Sequence, residues 1–231
     1  MTYLIIGGVV LFFLIWLFSA RRRIMSAYKK YIRTPNDNGI SGERIAAYGK
    51  QHMNLNIEFA LVKGTLTDAY SSRKKMLYLS KDICESESIA SCAVVAHELG
   101  HAMQDKENMP LFRLNHLLNV FTHFTNRFII PLLIFGLASM IFKWPTETIG
   151  LNMVISSGIL FALHALFKLL TIPVEIDASK RAIRFLTNAK IINKNEVPKV
   201  KRFLKIAAQT YIVGLFDDFT ITARKLFRIF R

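Results

Sequence analysis

The stretch AHELGHAMQ, Ala96 to Gln104, sets two histidines four residues apart with a glutamate directly after the first. On a helix, residues i and i+4 lie one above the other on the same face, so His97 and His101 can share a single ion. Neutral imidazoles hold Zn²⁺ at about 2.0–2.1 Å, which makes the pair two ligands of a zinc site. Glu98, turned about 100° round the helix axis, stays off the metal and can reach a water on it as general base. The competing interpretation is a chance H-E-x-x-H spacing on an amphipathic surface helix. A zinc site needs a third ligand to decide between them.

The helix that must carry these residues is well signalled. SESIASCAVVA offers Ser86 or Ser88 as N-cap, Glu85 and Glu87 near the positive helix end, and then good helix formers. The pattern predicts a helix from about Glu87 to Asp105. Upstream, Ser41 can cap a short helix over GERIAAYGKQHM. NIEFALV (Asn56 to Val62) alternates as a strand does, KMLYLS (Lys75 to Ser80) is a second strand candidate, and the turn-rich KGTLTDAYSSRKK lies between. A small sheet therefore precedes the histidine helix. Its edge either pairs with an extended substrate or merely covers the helix.

Candidates for the third ligand are His116, His123, His164 and the carboxylates. His116 and His123, seven apart, share a helix face, but a histidine on an amphipathic face more often packs than ligates. Glu175, in PVEIDASKRA (Pro173 to Ala182), is better placed, beside Asp177 and directly after an apolar stretch. A His, His, Glu set with an open fourth position is a catalytic zinc arrangement. The alternative for Glu175 is a solvated carboxylate at a helix start after Pro173.

Composition places this chemistry at a membrane. The 231 residues are 52% hydrophobic yet carry a net charge of +15, and the two properties are segregated along the chain. Tyr3 to Ala20 is an uninterrupted apolar run of spanning length, followed at once by Arg21 to Arg23. With the charge after the run, it is expected to be an uncleaved anchor and not a cleaved signal peptide. Phe128 to Phe142 and Ile149 to Ile172, joined by KWPTET, are expected to form a transmembrane hairpin, with the amphipathic run from Pro110 continuing the first helix. Residues 19–127 hold 16 lysines and arginines and residues 173–231 hold 13, whereas the hairpin loop holds Lys143 alone. The positive-inside rule then puts both large segments in the cytoplasm. Topology and anionic lipid account for the basic charge, and no basic-aromatic module suggests nucleic acid. Cys84 and Cys92 lack a C-x-x-C pairing and are expected to be reduced structural thiols.

The segments GTLTDAYSSRKKMLYLS, SIASCAVVAHELGHAMQ, PVEIDASKRA and AAQTYIVG (Ala207 to Gly214), in this order with apolar stretches between, resemble the YugP-type neutral zinc metallopeptidases, bacterial membrane proteins. The resemblance covers about residues 40 to 214. It implies one zinc ion held by His97, His101 and Glu175, with Glu98 as base. A more distant likeness is to HtpX-type and CAAX-processing membrane proteases, which share a HELGH-like helix and a later Glu. Their pattern is E-x-x-A-D, where this chain has Glu175, Ile176, Asp177, Ala178 and Ser179. Asp177 or Ser179 is thus the orienting partner, and Tyr70, His164 and Tyr211 are candidates for a second oxyanion donor.

The expected fold is mainly α, a multi-pass membrane protein with three transmembrane helices and a small cytoplasmic α+β zincin-like catalytic part. The expected domains are an anchor (1–20), a cytoplasmic catalytic part (21–127), a transmembrane hairpin (128–172) and C-terminal helices at the membrane surface (173–231). These C-terminal helices carry the third ligand and end in a buried or re-entrant segment followed by a basic amphipathic helix. The expected function is zinc-dependent hydrolysis of peptide bonds in a peptide or membrane-protein substrate at the cytoplasmic face. The alternative is a non-catalytic zinc-binding scaffold or chaperone-like membrane protein.

Overall fold

The computed structural model describes residues 19–208, without the side chains of His116 and His123. The expected anchor, apart from Ser19 and Ala20, lies outside the described residues, as do Tyr211 and the C-terminal segments beyond residue 208. The described chain is mainly helical with one small sheet. Residues 19–32 are helical (α1). They are followed by α2 (Gly42–His52), β1 (Glu58–Val62), β2 (Ala69–Ser71), β3 (Met76–Ser80), α3 (Lys81–Glu85), α4 (Ile89–Lys106), α5 (Pro110–Phe142), α6 (Glu147–Asn188) and α7 (Val197–Ala207).

Two compact units divide the described residues, one built from 19–113 together with 173–208, the other from 114–172. The first holds the sheet and a packed core. Ser41 starts α2 as expected, its side chain accepting from the Arg44 N–H. β3 is the central strand, parallel to β1 and antiparallel to β2, in the order β1-β3-β2. Its Leu77 and Leu79 are buried, which matches the alternation of a strand with one face on a core. β2 falls within the stretch expected to be turn. Asp68 fastens it, accepting from both the backbone N–H (2.6 Å) and the hydroxyl (3.0 Å) of Ser80 at the end of β3.

The core centres on α4, whose Ile89, Ala93, Val95, Ala96 and Leu99 are buried against residues such as Ile45, Leu77 and Leu186. Full burial of one such Leu or Ile contributes about 1.5–3 kcal/mol. α6 presents Val174, Ala178, Ala182 and Leu186 as a buried stripe at helical spacing. Gly100 of α4 sits where that stripe passes: a Cβ there would lie 2.6 Å from the Ala178 carbonyl oxygen. The absent side chain lets the α4 and α6 backbones approach closely. Cys92 is buried and Cys84 half-buried, both as free thiols, and burial pushes the Cys92 thiol up to about 12, so it is inert.

In the second unit, α5 and α6 are each long and apolar enough to cross a membrane, so two of the three expected spans fall on described helices. The amphipathic run from Pro110 and the apolar run from Phe128 form one helix, as the sequence suggests. Gly136 and Gly150 meet where the two helices cross, a Cβ on Gly150 coming within 2.7 Å of the Gly136 carbonyl oxygen. Ser157 adds a hydrogen bond to the Ile129 carbonyl at 2.8 Å.

Candidate metal centre

Ser88 starts the helix that carries the two histidines, its hydroxyl accepting from the Ser91 N–H at 3.1 Å. α4 begins two residues later than Glu87 and runs one beyond Asp105. His97 and His101 stack on one face, ring centroids 4.7 Å apart at 80°. Glu175 arrives from α6, and not from the start of a new helix: Pro173 lies inside α6, which runs unbroken to Asn188. Proline removes one N–H and crowds the preceding turn, and the burial of Val174, Ala178 and Ala182 against α4 offsets that cost.

These three residues converge on one point. Glu175 Oε2 lies 3.2 Å from His97 Nε2 and 3.2 Å from His101 Nε2. Ligand-capable atoms of all three lie within 4.8 Å of one another, and the described residues contain no other such group of histidines, cysteines or carboxylates. His101 and Glu175 are buried and His97 is nearly so.

The far side of each imidazole is also held. Ser179 Oγ lies 3.2 Å from His97 Nδ1. Gln104 Oε1 lies 3.0 Å from His101 Nδ1. The Gln104 amide nitrogen donates to the Val174 carbonyl (2.8 Å) and to Asp177 Oδ2 (2.9 Å), so its oxygen must be the end that faces His101. His101 Nδ1 therefore carries a hydrogen, which leaves Nε2, facing Glu175, as the nitrogen that would meet a metal once its own proton is displaced. Arg181 completes the chain, donating from Nε to Asp177 (2.6 Å) and from NH1 to Glu107 (2.7 Å). Asp177 and Ser179 thus each orient a different histidine, one through Gln104 and one directly.

Gln104 and Arg181 were not legible as site residues from the H-E-x-x-H spacing alone. The signal existed: Gln104 lies seven residues beyond His97 and three beyond His101, on their helix face, and Arg181 lies four beyond Asp177.

Glu98 sits beside the cluster on the side of the sheet. Its Oε2 accepts the backbone N–H of Tyr70 at 2.7 Å. Burial pushes its carboxyl above the usual range, with the charges of His101 and His97 pulling the other way. For His101, burial disfavours the imidazolium, but the hydrogen bond and charge of Glu175 outweigh it and raise the ring to about 9.

The Tyr70 hydroxyl is committed elsewhere, donating to Asp105 Oδ2 at 2.6 Å, where Lys75 Nζ also binds at 2.6 Å. His164 is buried on the part of α6 that belongs to the other unit. Tyr211 lies outside the described residues, and His116 and His123 lie on α5.

The donor set fits zinc. Two imidazole Nε2 atoms and one carboxylate oxygen face each other, each imidazole is fixed from behind by its own hydrogen bond, and three protein donors is the number a catalytic zinc uses.

Residues 4–229 match the family model described as "Putative neutral zinc metallopeptidase". The chain is 29% identical over 208 residues to the "Putative membrane protease YugP" of Bacillus subtilis (strain 168), which covers 87% of each chain. No solved structure matches it.

Proposed function

The chain belongs to that zinc metallopeptidase family, and on this premise we propose that it is a membrane-bound endopeptidase that cleaves peptide bonds at the cytoplasmic membrane face. The observation that carries the reading is the convergence of His97, His101 and Glu175 on one point, with Glu98 alongside and outside the donor set. Those three would hold one zinc ion, which when bound supplies Lewis acidity that activates water and polarises the peptide carbonyl.

The protein's own groups supply the rest. Glu98 accepts the proton of the attacking water and returns it to the departing amine. Its raised proton affinity suits both halves of that transfer, since a base that is too acidic holds the proton too weakly to move it. Ser179 and the Gln104, Asp177, Arg181 chain keep both imidazoles facing the donor point without rearrangement.

Substrate alignment falls to β2, an edge strand. The Tyr70 N–H points to Glu98 and away from β3, so Tyr70 occupies a non-hydrogen-bonded position of the β2–β3 ladder and its carbonyl also faces outward. With the Tyr70 N–H taken by Glu98, its outward carbonyl is the main-chain group that would accept from an extended substrate and hold it beside Glu98 and the donor point. Pairing through main-chain groups asks little of the substrate's sequence. The Tyr70 hydroxyl, bound to Asp105, serves to fix the edge strand on α4 and not to bind an oxyanion.

The cytoplasmic placement rests on the charge asymmetry of the sequence. The scaffold alternative would call for a zinc ion closed off by four protein ligands, and the described cluster offers three.

Metal analysis tests the reading. Purified protein is expected to carry one zinc, with His97→Ala, His101→Ala or Glu175→Ala each removing most of it, and chelation is expected to abolish peptide cleavage until zinc is restored. Full zinc retention by Glu175→Ala would refute the three-ligand assignment.

A further inference from the structure

A second feature lies apart from the metal centre, where α1 and α7 pack together. Tyr31 of α1 and Phe203 of α7 meet edge to face, ring centroids 5.7 Å apart, and both are buried. Above this floor opens a cleft of about 290 Å³, lined by Arg23, Ser26, Ala27, Lys30, Tyr31, Arg202 and Ile206. Three of these side chains are cationic and none is acidic. Arg23, Lys30 and Arg202 are all exposed, and no ion pair within the described residues engages any of them. Lys30 Nζ lies 5.6 Å from the centre of the Tyr31 ring, a cation–π contact at the cleft wall.

Three unpaired cations around one small concavity repel one another, and an anion between them relieves that repulsion. The cleft's position along the chain indicates which anion. Arg23 follows the apolar run that ends at Ala20 by three residues, on a helix already formed at residue 19. At a helical rise of about 1.5 Å per residue, Arg23 stands roughly 5 Å beyond the end of that run. The headgroup layer of a bilayer is about 5–8 Å deep on each side. Lys30 is two turns further along the same face, and its long side chain can extend back toward that depth. Arg202 approaches from α7, after which the sequence again turns apolar, through AAQTYIVGLF.

We propose that the cleft between α1 and α7 is a binding site for the phosphate of an anionic phospholipid, held by Arg23, Lys30 and Arg202. The two arginines offer planar donor pairs to phosphate oxygens, Lys30 a point charge, and the Ser26 hydroxyl one further donor. Occupied in this way, the cleft joins α1 to α7 at the membrane surface and fixes the catalytic unit's height above the bilayer. The proposal rests on membrane association alone and is independent of peptide hydrolysis.

The test is native mass spectrometry of the full-length protein in detergent, titrated with phosphatidylglycerol or phosphatidylcholine. Wild type is expected to retain phosphatidylglycerol roughly tenfold better than phosphatidylcholine, since each cation near an anionic lipid contributes several-fold. The triple variant Arg23→Gln, Lys30→Gln, Arg202→Gln is expected to lose that preference while keeping its helical circular dichroism and its zinc. A control that removes the same charge elsewhere, Lys63→Gln, Lys81→Gln, Lys194→Gln, is expected to keep it. Equal loss in both triple variants would overturn the proposal in favour of diffuse charge attraction. Displacement of phosphatidylglycerol by excess inorganic phosphate would overturn the lipid assignment and make the cleft a site for free phosphate.

Discussion

His101 Nδ1 and Gln104 Oε1 lie 3.0 Å apart on consecutive turns of α4, and the other end of the Gln104 amide is tied to α6 through Val174 and Asp177. The amide thereby fixes both the tautomer and the tilt of one proposed ligand. Gln104→Leu, which keeps the approximate volume and removes both hydrogen-bonding ends, is expected to weaken zinc binding about 10–100-fold. Competition with a chelator of known affinity measures it. An unchanged affinity would show that packing alone orients the ring.

Gly100→Ala should act through the same pair of helices without touching a ligand. Its Cβ would lie 2.6 Å from the Ala178 carbonyl oxygen, a contact that backbone alone can relieve. Overpacking of this kind costs about 1–3 kcal/mol, more than the roughly 1 kcal/mol that alanine returns in helix propensity. Reduced thermal stability together with weaker zinc binding is expected, because α6 carries Glu175 away from both histidines. A more stable variant would contradict the close approach.

Much of this was legible in the sequence, and what was not has physical causes. The histidine helix announced itself through Ser88, the good helix formers that follow it and the i, i+4 pair. Glu175 was legible as a candidate, but its setting was not. Pro173 reads as a helix start, whereas the contact of Val174, Ala178 and Ala182 with α4, a tertiary effect, carries the helix through it. β2 was hidden because three residues cannot show a period; it exists through its pairing with β3 and the Asp68 to Ser80 hydrogen bonds. The role of Asp177 was unresolved in the sequence because its partner Gln104 lies 73 residues away.

The pH dependence of metal binding follows from His101. Its imidazole is raised to about 9, so at neutral pH it carries a proton that zinc must displace. Apparent zinc affinity is therefore expected to rise roughly tenfold per pH unit through neutrality, and to level off as pH passes about 9. Calorimetry in buffers of different ionisation heat counts the released protons. A pH-independent affinity would contradict the pairing of His101 with Glu175.

Orientation can be read with single cysteines at Asp37 and Thr146, in a background with Cys84 and Cys92 replaced. A membrane-impermeant thiol reagent on intact cells is expected to label position 146, beside Lys143, and spare position 37. The reverse pattern would place the metal centre on the outer face.

The central claim is that Glu98 moves protons and holds no metal. Glu98→Gln keeps the shape of the side chain and its hydrogen bond from the Tyr70 N–H, which an amide oxygen also accepts. The decisive measurement is zinc content and peptide cleavage on the same preparation of this variant. The account predicts wild-type zinc with cleavage reduced by orders of magnitude, about 10²–10⁴-fold for a lost general base. Wild-type cleavage, or loss of the zinc along with the activity, would contradict it.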